Sequence, residues 1–175
     1  MSGWQSLALS LFRRVREETT RMADMAGRVP TGPAGDPEAN SPAWLVWHIA
    51  RGQDRNLSEI AGLPQLYVSQ GWAERFGRPA DPADTGYGHT AAQAAAFRGA
   101  GAPGAALLTG YLDAVHARVE AYLAAAPAED HARIAPSPTL GTAQTVEERL
   151  AGQLADSLAH LGQLGLLLEP GRVTP

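Results

Sequence analysis

The chain contains no cysteine, which excludes both a disulfide framework and a thiolate zinc site. Any thiol chemistry would need a sulfur carried in by a second molecule. Lysine is absent too: all 14 basic residues are arginine, scattered without a run along a chain of formal net charge -4. That pattern lacks the electrostatic footprint of nucleic-acid binding, so no nucleic-acid partner is expected. Long apolar runs are also missing, and no segment approaches the roughly 20 residues of a membrane span. The N-terminal stretch MSGWQSLALSLFRRVREE has no basic leader before its apolar part and runs straight into charge. A cytoplasmic protein without membrane contact is the expectation. Aromatic residues make up only 6%, so the core should be largely aliphatic, and no segment alternates with the period-two pattern of a half-buried strand.

What remains describes one globular unit. At 175 residues, 45% hydrophobic and 18% charged, the chain suits a single domain over residues 1–175 that buries a core without staples. No repeat at solenoid spacing is present.

Helical spacing carries the organisation. Leu7, Leu11, Val15, Met22 and Met25 form the apolar stripe of a first helix between Trp4 and about Gly27. A Pro/Gly-rich stretch follows and ends in Asn40-Ser41-Pro42, where Ser41 caps a second helix starting at Pro42 and running to about Ala61. Residues Gly62 to Gly88 read as an irregular crossover. Thr90 and Gln93 make a capping box for a short helix, and a third long helix spans Pro103 to Ala126 with Leu108, Leu112, Val115, Val119 and Tyr122 buried. Pro127 to Gly141 reads as irregular. Thr145 and Glu148 form another capping box, opening a fourth helix to about Leu168 whose inner face carries Leu150, Leu154, Leu158, Leu161 and Gly165. The expected class is all-α: a four-helix bundle with a long crossover between its second and third helices.

One constellation carries chemistry. Asp156 and His160 stand one turn apart on the same side of the fourth helix, a spacing that lets a carboxylate and an imidazole grip one ion. His48, one and a half turns into the second helix, offers a third ligand, with Trp44 a turn before it and Gly52 a turn after, the latter leaving room above the imidazole. On pattern alone the ordinary alternative stands beside this reading. Such an Asp/His pair is more often a surface or capping interaction, and a helix-borne histidine more often a core residue.

The segment Asn40-Ser41-Pro42-Ala43-Trp44-Leu45-Val46-Trp47-His48-Ile49-Ala50-Arg51-Gly52-Gln53-Asp54 resembles the second-helix signature of the DinB-like superfamily, especially its mycothiol-dependent branch. His160-Leu161-Gly162-Gln163 resembles the same family's fourth-helix ending, and with the helix order the resemblance spans nearly the whole chain. It implies an up-down-down-up bundle and a divalent metal held by His48, Asp156 and His160. Asp156 stands where the maleylpyruvate isomerase branch has a carboxylate, here with a shorter side chain. Maleylpyruvate isomerases append a C-terminal domain beyond the bundle, and ergothioneine-forming iron enzymes fuse it to a larger catalytic domain. Neither of those reactions is therefore expected here.

The resemblance implies a metal-dependent S-transferase that activates a low-molecular-weight thiol, mycothiol for an actinobacterial source, toward an electrophilic small molecule. Zinc leads as the ion, and nickel, iron or manganese suit the same ligands. His89, in the glycine-flanked turn Thr85-Gly86-Tyr87-Gly88-His89-Thr90, is a candidate acid or base, with a plain loop histidine as its ordinary reading. Trp44, Arg51, Gly52 and Arg55 are candidate substrate-binding residues, the two arginines for an anionic substrate. His116 reads as a core-edge residue and His131 as solvated. The rival expectation is a non-catalytic helical homodimer, metal-binding or metal-free, and pairing into a C2 dimer is expected in either case.

Overall fold

The computed structural model describes residues 1–26, 40–97 and 103–168. Four long helices dominate them: α1 (Gly3–Ala26), α2 (Pro42–Ala61), α6 (Ala105–Ala125) and α7 (Val146–Leu168). The crossover between α2 and α6 contains three short helices, α3 (Leu66–Ser69), α4 (Trp72–Arg75) and α5 (Ala91–Ala95). The expected all-α class is observed.

The helices begin where the sequence places caps. Ser41 Oγ accepts the Trp44 N–H at 3.2 Å, with Pro42 as the first helical residue. Thr145 Oγ1 accepts the Glu148 N–H at 3.2 Å while Glu148 Oε2 accepts the Thr145 N–H at 2.8 Å, so two donors at the start of α7 are satisfied reciprocally. At its far end α2 stops on Gly62, whose φ of 65° is the left-handed conformation that glycine adopts without a Cβ penalty.

Cross-helix pairs give the directions. Asn56 meets Arg149 and His48 meets Asp156, so α2 and α7 are antiparallel. Arg13 pairs with Glu120 and Arg16 with Asp113, which makes α1 and α6 antiparallel. Arg51 bonds Tyr111 and Ser58 bonds Arg118, so α2 and α6 run the same way. The order is up-down-down-up, and the run of α2 and α6 in one direction is what the long crossover makes possible.

Two apolar clusters fill the bundle. One, around Phe12, Val15, Ile49, Leu57, Val119, Leu150 and Leu154, is mostly aliphatic. The other, around Trp44, Trp47, Tyr67, Trp72, Phe97 and Tyr111, draws most of the chain's few aromatics to the crossover end. The candidate site lies at that end.

Several expectations are corrected. Residues expected to be irregular after Pro127 include a hairpin, with β1 (Ile134–Ser137) antiparallel to β2 (Thr142–Thr145). Its four-residue strands are too short, and Pro136 too disruptive, to leave an alternation in the sequence. The hairpin is anchored from the bundle: Arg149 donates to the Pro136 carbonyl at 2.7 Å, and the Ser137 and Thr139 hydroxyls donate to Glu59 at 2.7 and 2.6 Å. Leu7 and Leu158, expected inside, are 64% and 46% exposed, because the true stripe of α1 runs through Gln5, Ala8, Leu9 and Phe12 and that of α7 through Gln153, Leu154 and Ser157. Tyr122 is only half-buried, with its hydroxyl held by Asp130, whereas Leu123 is fully buried.

Candidate metal centre

Along the antiparallel seam of α2 and α7, His48 faces Asp156 and His160. His48 Nε2 lies 4.0 Å from Asp156 Oδ2, and His160 Nε2 lies 3.4 Å from Asp156 Oδ1. One donor atom from each of the three falls within 4.8 Å of the others. The two imidazoles stand perpendicular, with centroids 4.6 Å apart and an interplanar angle of 89°. Four-coordinate zinc with nitrogen and oxygen bonds of about 2.0–2.1 Å separates its ligands by about 3.3 Å. The three donors need close by no more than about 1.5 Å to reach that spacing.

The second partner of each imidazole fixes which nitrogen faces inward. His48 Nδ1 lies 2.5 Å from the Thr85 carbonyl oxygen, which can only accept, so the ring proton is on Nδ1 and the Nε2 lone pair points at the cluster. His160 Nδ1 lies 3.0 Å from Gln163 Oε1, which likewise leaves Nε2 toward Asp156. This is the outer-shell pattern that orients metal-ligating histidines. The indole of Trp44 stacks on the His48 ring at 4.7 Å and 10°, clamping it from the side.

Electrostatics favour a neutral His48. Burial pushes its pKa below the ordinary histidine value, outweighing the opposing Thr85 hydrogen bond, and the charge on His160 adds to the lowering. His160 moves the other way, raised chiefly by its hydrogen bond to Asp156. For Asp156 burial acts upward, but the His160 hydrogen bond and the charges of His160, His48 and Arg55 prevail and its pKa is lowered. The side chains of His48 and His160 are 10% and 16% exposed and that of Asp156 is 45%, so the carboxylate forms the open side. Among the described residues no fourth side chain joins the cluster. Three ligands with one side accessible suit a catalytic ion better than a structural one.

The sequence profile of the DinB superfamily matches residues 6–164. The chain belongs to the DinB superfamily. A solved structure, the conserved protein of a locus from Enterococcus faecalis, is similar to it at 26% identity and a TM-score of 0.75, with 96% of each chain covered. No curated protein matches the chain. The DinB superfamily is typically metal-binding, which agrees with the donor set of His48, Asp156 and His160.

In this DinB chain the other candidate residues take different places from those expected. Arg51 is completely buried and all its donors are committed. Nε bonds the Asp84 carbonyl at 3.0 Å, Nη2 bonds Gln65 and the Pro82 carbonyl, and Nη1 bonds Tyr111 and Asp54. It therefore has nothing to offer a substrate, and instead it braces residues 82–84, which deliver the Thr85 carbonyl to His48. Gly52 does not open space above His48, because a Cβ there would stand 2.9 Å from the Gln153 amide. Trp44 is buried and serves as the clamp already described. His89 accepts from Trp44 Nε1 at 3.1 Å and faces Asp84 Oδ1 through Nε2 at 2.7 Å, so both ring nitrogens are engaged and neither faces the cluster.

Arg55 differs from all of these. Two turns beyond His48 on the same face of α2, its Nε is buried without a hydrogen-bond partner. Burial pushes its pKa below the ordinary arginine value, with Glu59 and Asp156 acting against the lowering.

Sequence reasoning missed Thr85, Gly86 and Asp84 as parts of the site. The signal was present in the pair of glycines in the crossover turn: Gly86 and Gly88 have φ of 90° and 73°. A glycine with positive φ marks a backbone bent or pressed close to something. Gln163, quoted only as part of a motif, acts through its contact with His160 Nδ1.

Proposed function

We propose that this chain binds one divalent ion through His48, Asp156 and His160 and uses it as a thiol-dependent S-transferase. The observation that carries the reading is the convergence of two inward-facing imidazole nitrogens and one accessible carboxylate in a chain that has no sulfur nucleophile of its own. When bound, the ion supplies Lewis acidity that keeps an incoming thiol deprotonated near neutral pH. The protein's share is orientation: the Thr85 carbonyl and Trp44 fix His48, Gln163 fixes His160, and the exposed edge of Asp156 leaves an approach for the ligand. The thiol loses its proton, the sulfur forms a bond to the electrophilic carbon, and a leaving group departs or the carbon beside it takes a proton.

The cosubstrate is a low-molecular-weight thiol, mycothiol in an actinobacterial setting, and zinc is the proposed ion. The donor set alone fits nickel, iron and manganese as well. Engagement of both nitrogens of His89 argues for a positioning role through Trp44 over acid–base work. The decisive experiment compares wild type with His48→Ala under saturating zinc, following conjugation of mycothiol to a chromogenic aryl halide. Loss of turnover in the variant with the fold retained supports the reading, and equal rates refute it.

A second reading, a non-catalytic helical homodimer, draws on one observation: Leu158, Gly162 and Leu166 leave an exposed apolar strip along one face of α7. Light scattering of purified protein addresses it. A dimer that neither takes up metal nor conjugates thiols would favour this reading over the enzyme.

A further inference from the structure

The reading of the metal centre as an S-transferase leaves one charged side chain without employment. Among the described residues Arg55 has neither a hydrogen-bond partner nor a carboxylate within ion-pairing range, although its Nε is shut off from water. Arg55 as a whole is half-buried, but a buried N–H donor without a partner carries a desolvation penalty that folded proteins seldom leave uncompensated.

The neighbouring acids do not supply the partner. Glu59, one turn further along α2, is spent on Arg149 at 2.5 Å and on the hydroxyls of Ser137 and Thr139. Asp54 is spent on Arg51, Tyr111 and the backbone of α3. Asp156 is near enough to act on Arg55 through its charge but pairs with His160 at 3.4 Å instead. With a divalent ion held by Asp156 and two neutral imidazoles, the local balance including Arg55 is two positive charges. A thiolate cancels one, and a single further anion cancels the other.

Geometry puts that anion within reach of a small molecule at the same centre. The α-carbons of His48 and Arg55 are about 10 Å apart at the 1.5 Å rise of a helix, and a helical side chain leans toward the N-terminal turn, here toward His48. A guanidinium is a fork that matches a carboxylate in two parallel hydrogen bonds.

We infer that Arg55 is a specificity-determining residue that receives a carboxylate of the small molecule entering the metal centre. The inference rests on the reading of His48, Asp156 and His160 as a centre that admits a small ligand. It names the class of the electrophilic partner, since mycothiol itself carries no carboxylate: a short molecule whose carboxylate lies a few bonds from a metal-seeking atom.

Two measurements separate this inference from the reading beneath it. In cobalt-loaded protein, the near-ultraviolet thiolate-to-metal band reports thiol binding without turnover. Wild type should bind 3-mercaptopropionate at least tenfold more tightly than 2-mercaptoethanol, and Arg55→Gln should lose that preference while its affinity for 2-mercaptoethanol is unchanged. Equal affinities in wild type, or a preference that survives in Arg55→Gln, overturn the proposal. In metal-free protein, the Arg55 Nε–H resonance, assigned by its disappearance in Arg55→Lys, should shift on addition of succinate and stay in place with succinamide. A resonance indifferent to succinate overturns the anion site whether or not the centre takes metal. Absence of the cobalt band in wild type with a succinate response intact would refute the metal reading and leave the carboxylate site standing.

Discussion

A Cβ added at Gly86 would stand 2.8 Å from His48 Nδ1 and 2.9 Å from the Trp44 ring. The missing side chain is what lets the crossover backbone lie against the imidazole and put the Thr85 carbonyl on Nδ1. Gly86→Ala therefore meets two obstacles: the clash, and a φ of 90° that costs an L-residue on the order of 1–2 kcal/mol. The variant should fold with reduced stability and hold its ion at least tenfold more weakly. Zinc affinity by competition with a chromogenic chelator checks this, and an unchanged affinity would show that the Thr85 contact does not orient His48.

Metal uptake itself gives the next expectation. Purified protein should bind one divalent ion per chain, and His48→Ala, Asp156→Ala and His160→Ala should each lower that stoichiometry or weaken the affinity. Because an ion that binds only the folded chain stabilises it by about 2.7 kcal/mol at a hundredfold excess over Kd, chelator should lower the melting temperature of wild type and leave that of His48→Ala unchanged.

The elements of the bundle were legible because each long helix announces itself by apolar spacing, and two of the four, α2 and α7, by a side-chain cap as well. Ser41, Thr90 and Thr145 set the starts of three helices to within a residue or two. The facing trio was legible for a narrower reason: Asp156 and His160 are one turn apart, and the sequence around His48 carries a family signature. Arg51 was not legible. An arginine on a helix reads as solvated, and only the return of residues 82–84 and Gln65 over it, together with Tyr111 from a distant helix and Asp54 from its own, supplies five donors with acceptors. The hairpin was missed because its pairing is fixed by Glu59 and Arg149, groups outside the strands themselves.

Protons compete with the ion for the same nitrogens, and the two histidines differ. His48 is held below the ordinary histidine value by burial and so is neutral at pH 7, whereas His160 is held above it by Asp156. A ligand must be deprotonated to bind, so affinity should be full at alkaline pH. It should weaken as pH falls through the raised His160 value, above 6.5. Asp156→Asn removes the group that raises His160 and should move the onset of weakening to lower pH, alongside an overall loss of affinity. Isothermal titration from pH 8 to 5.5 measures both, and an onset unmoved in the variant would sink this assignment.

Acid should also release the hairpin before it melts the bundle. Burial acts to raise the Glu59 pKa, but hydrogen bonds from Thr139, Ser137 and Arg149 outweigh it and leave the carboxyl below its ordinary value. A carboxylate with a depressed folded-state pKa stabilises the fold at neutral pH, and that contribution disappears as pH falls through the folded value. Glu59→Gln should reproduce the acid effect at pH 7, raising amide exchange in residues 134–145 relative to the four long helices. Equal protection of the hairpin in the variant and wild type would mean that Arg149 alone, through the Pro136 carbonyl, is a sufficient anchor.

Arg51 offers the sharpest separation of structure from ligand binding. Its guanidinium is fully buried against Asp54 at 3.4 Å and lies over the Tyr67 ring at 4.0 Å. Arg51→Ala removes one partner of a buried pair, leaves Asp54 short of one donor and unbraces the segment that carries Thr85. Breaking such a pair costs about 3–5 kcal/mol, a large share of the 5–15 kcal/mol typical of a domain. Arg55→Ala, by contrast, removes a half-buried cation whose buried Nε has no partner and should be neutral or stabilising. Urea denaturation of the two variants side by side decides the matter: if Arg51→Ala were tolerated and Arg55→Ala were the destabilising change, the assignment of Arg51 as brace and Arg55 as ligand-directed would be reversed.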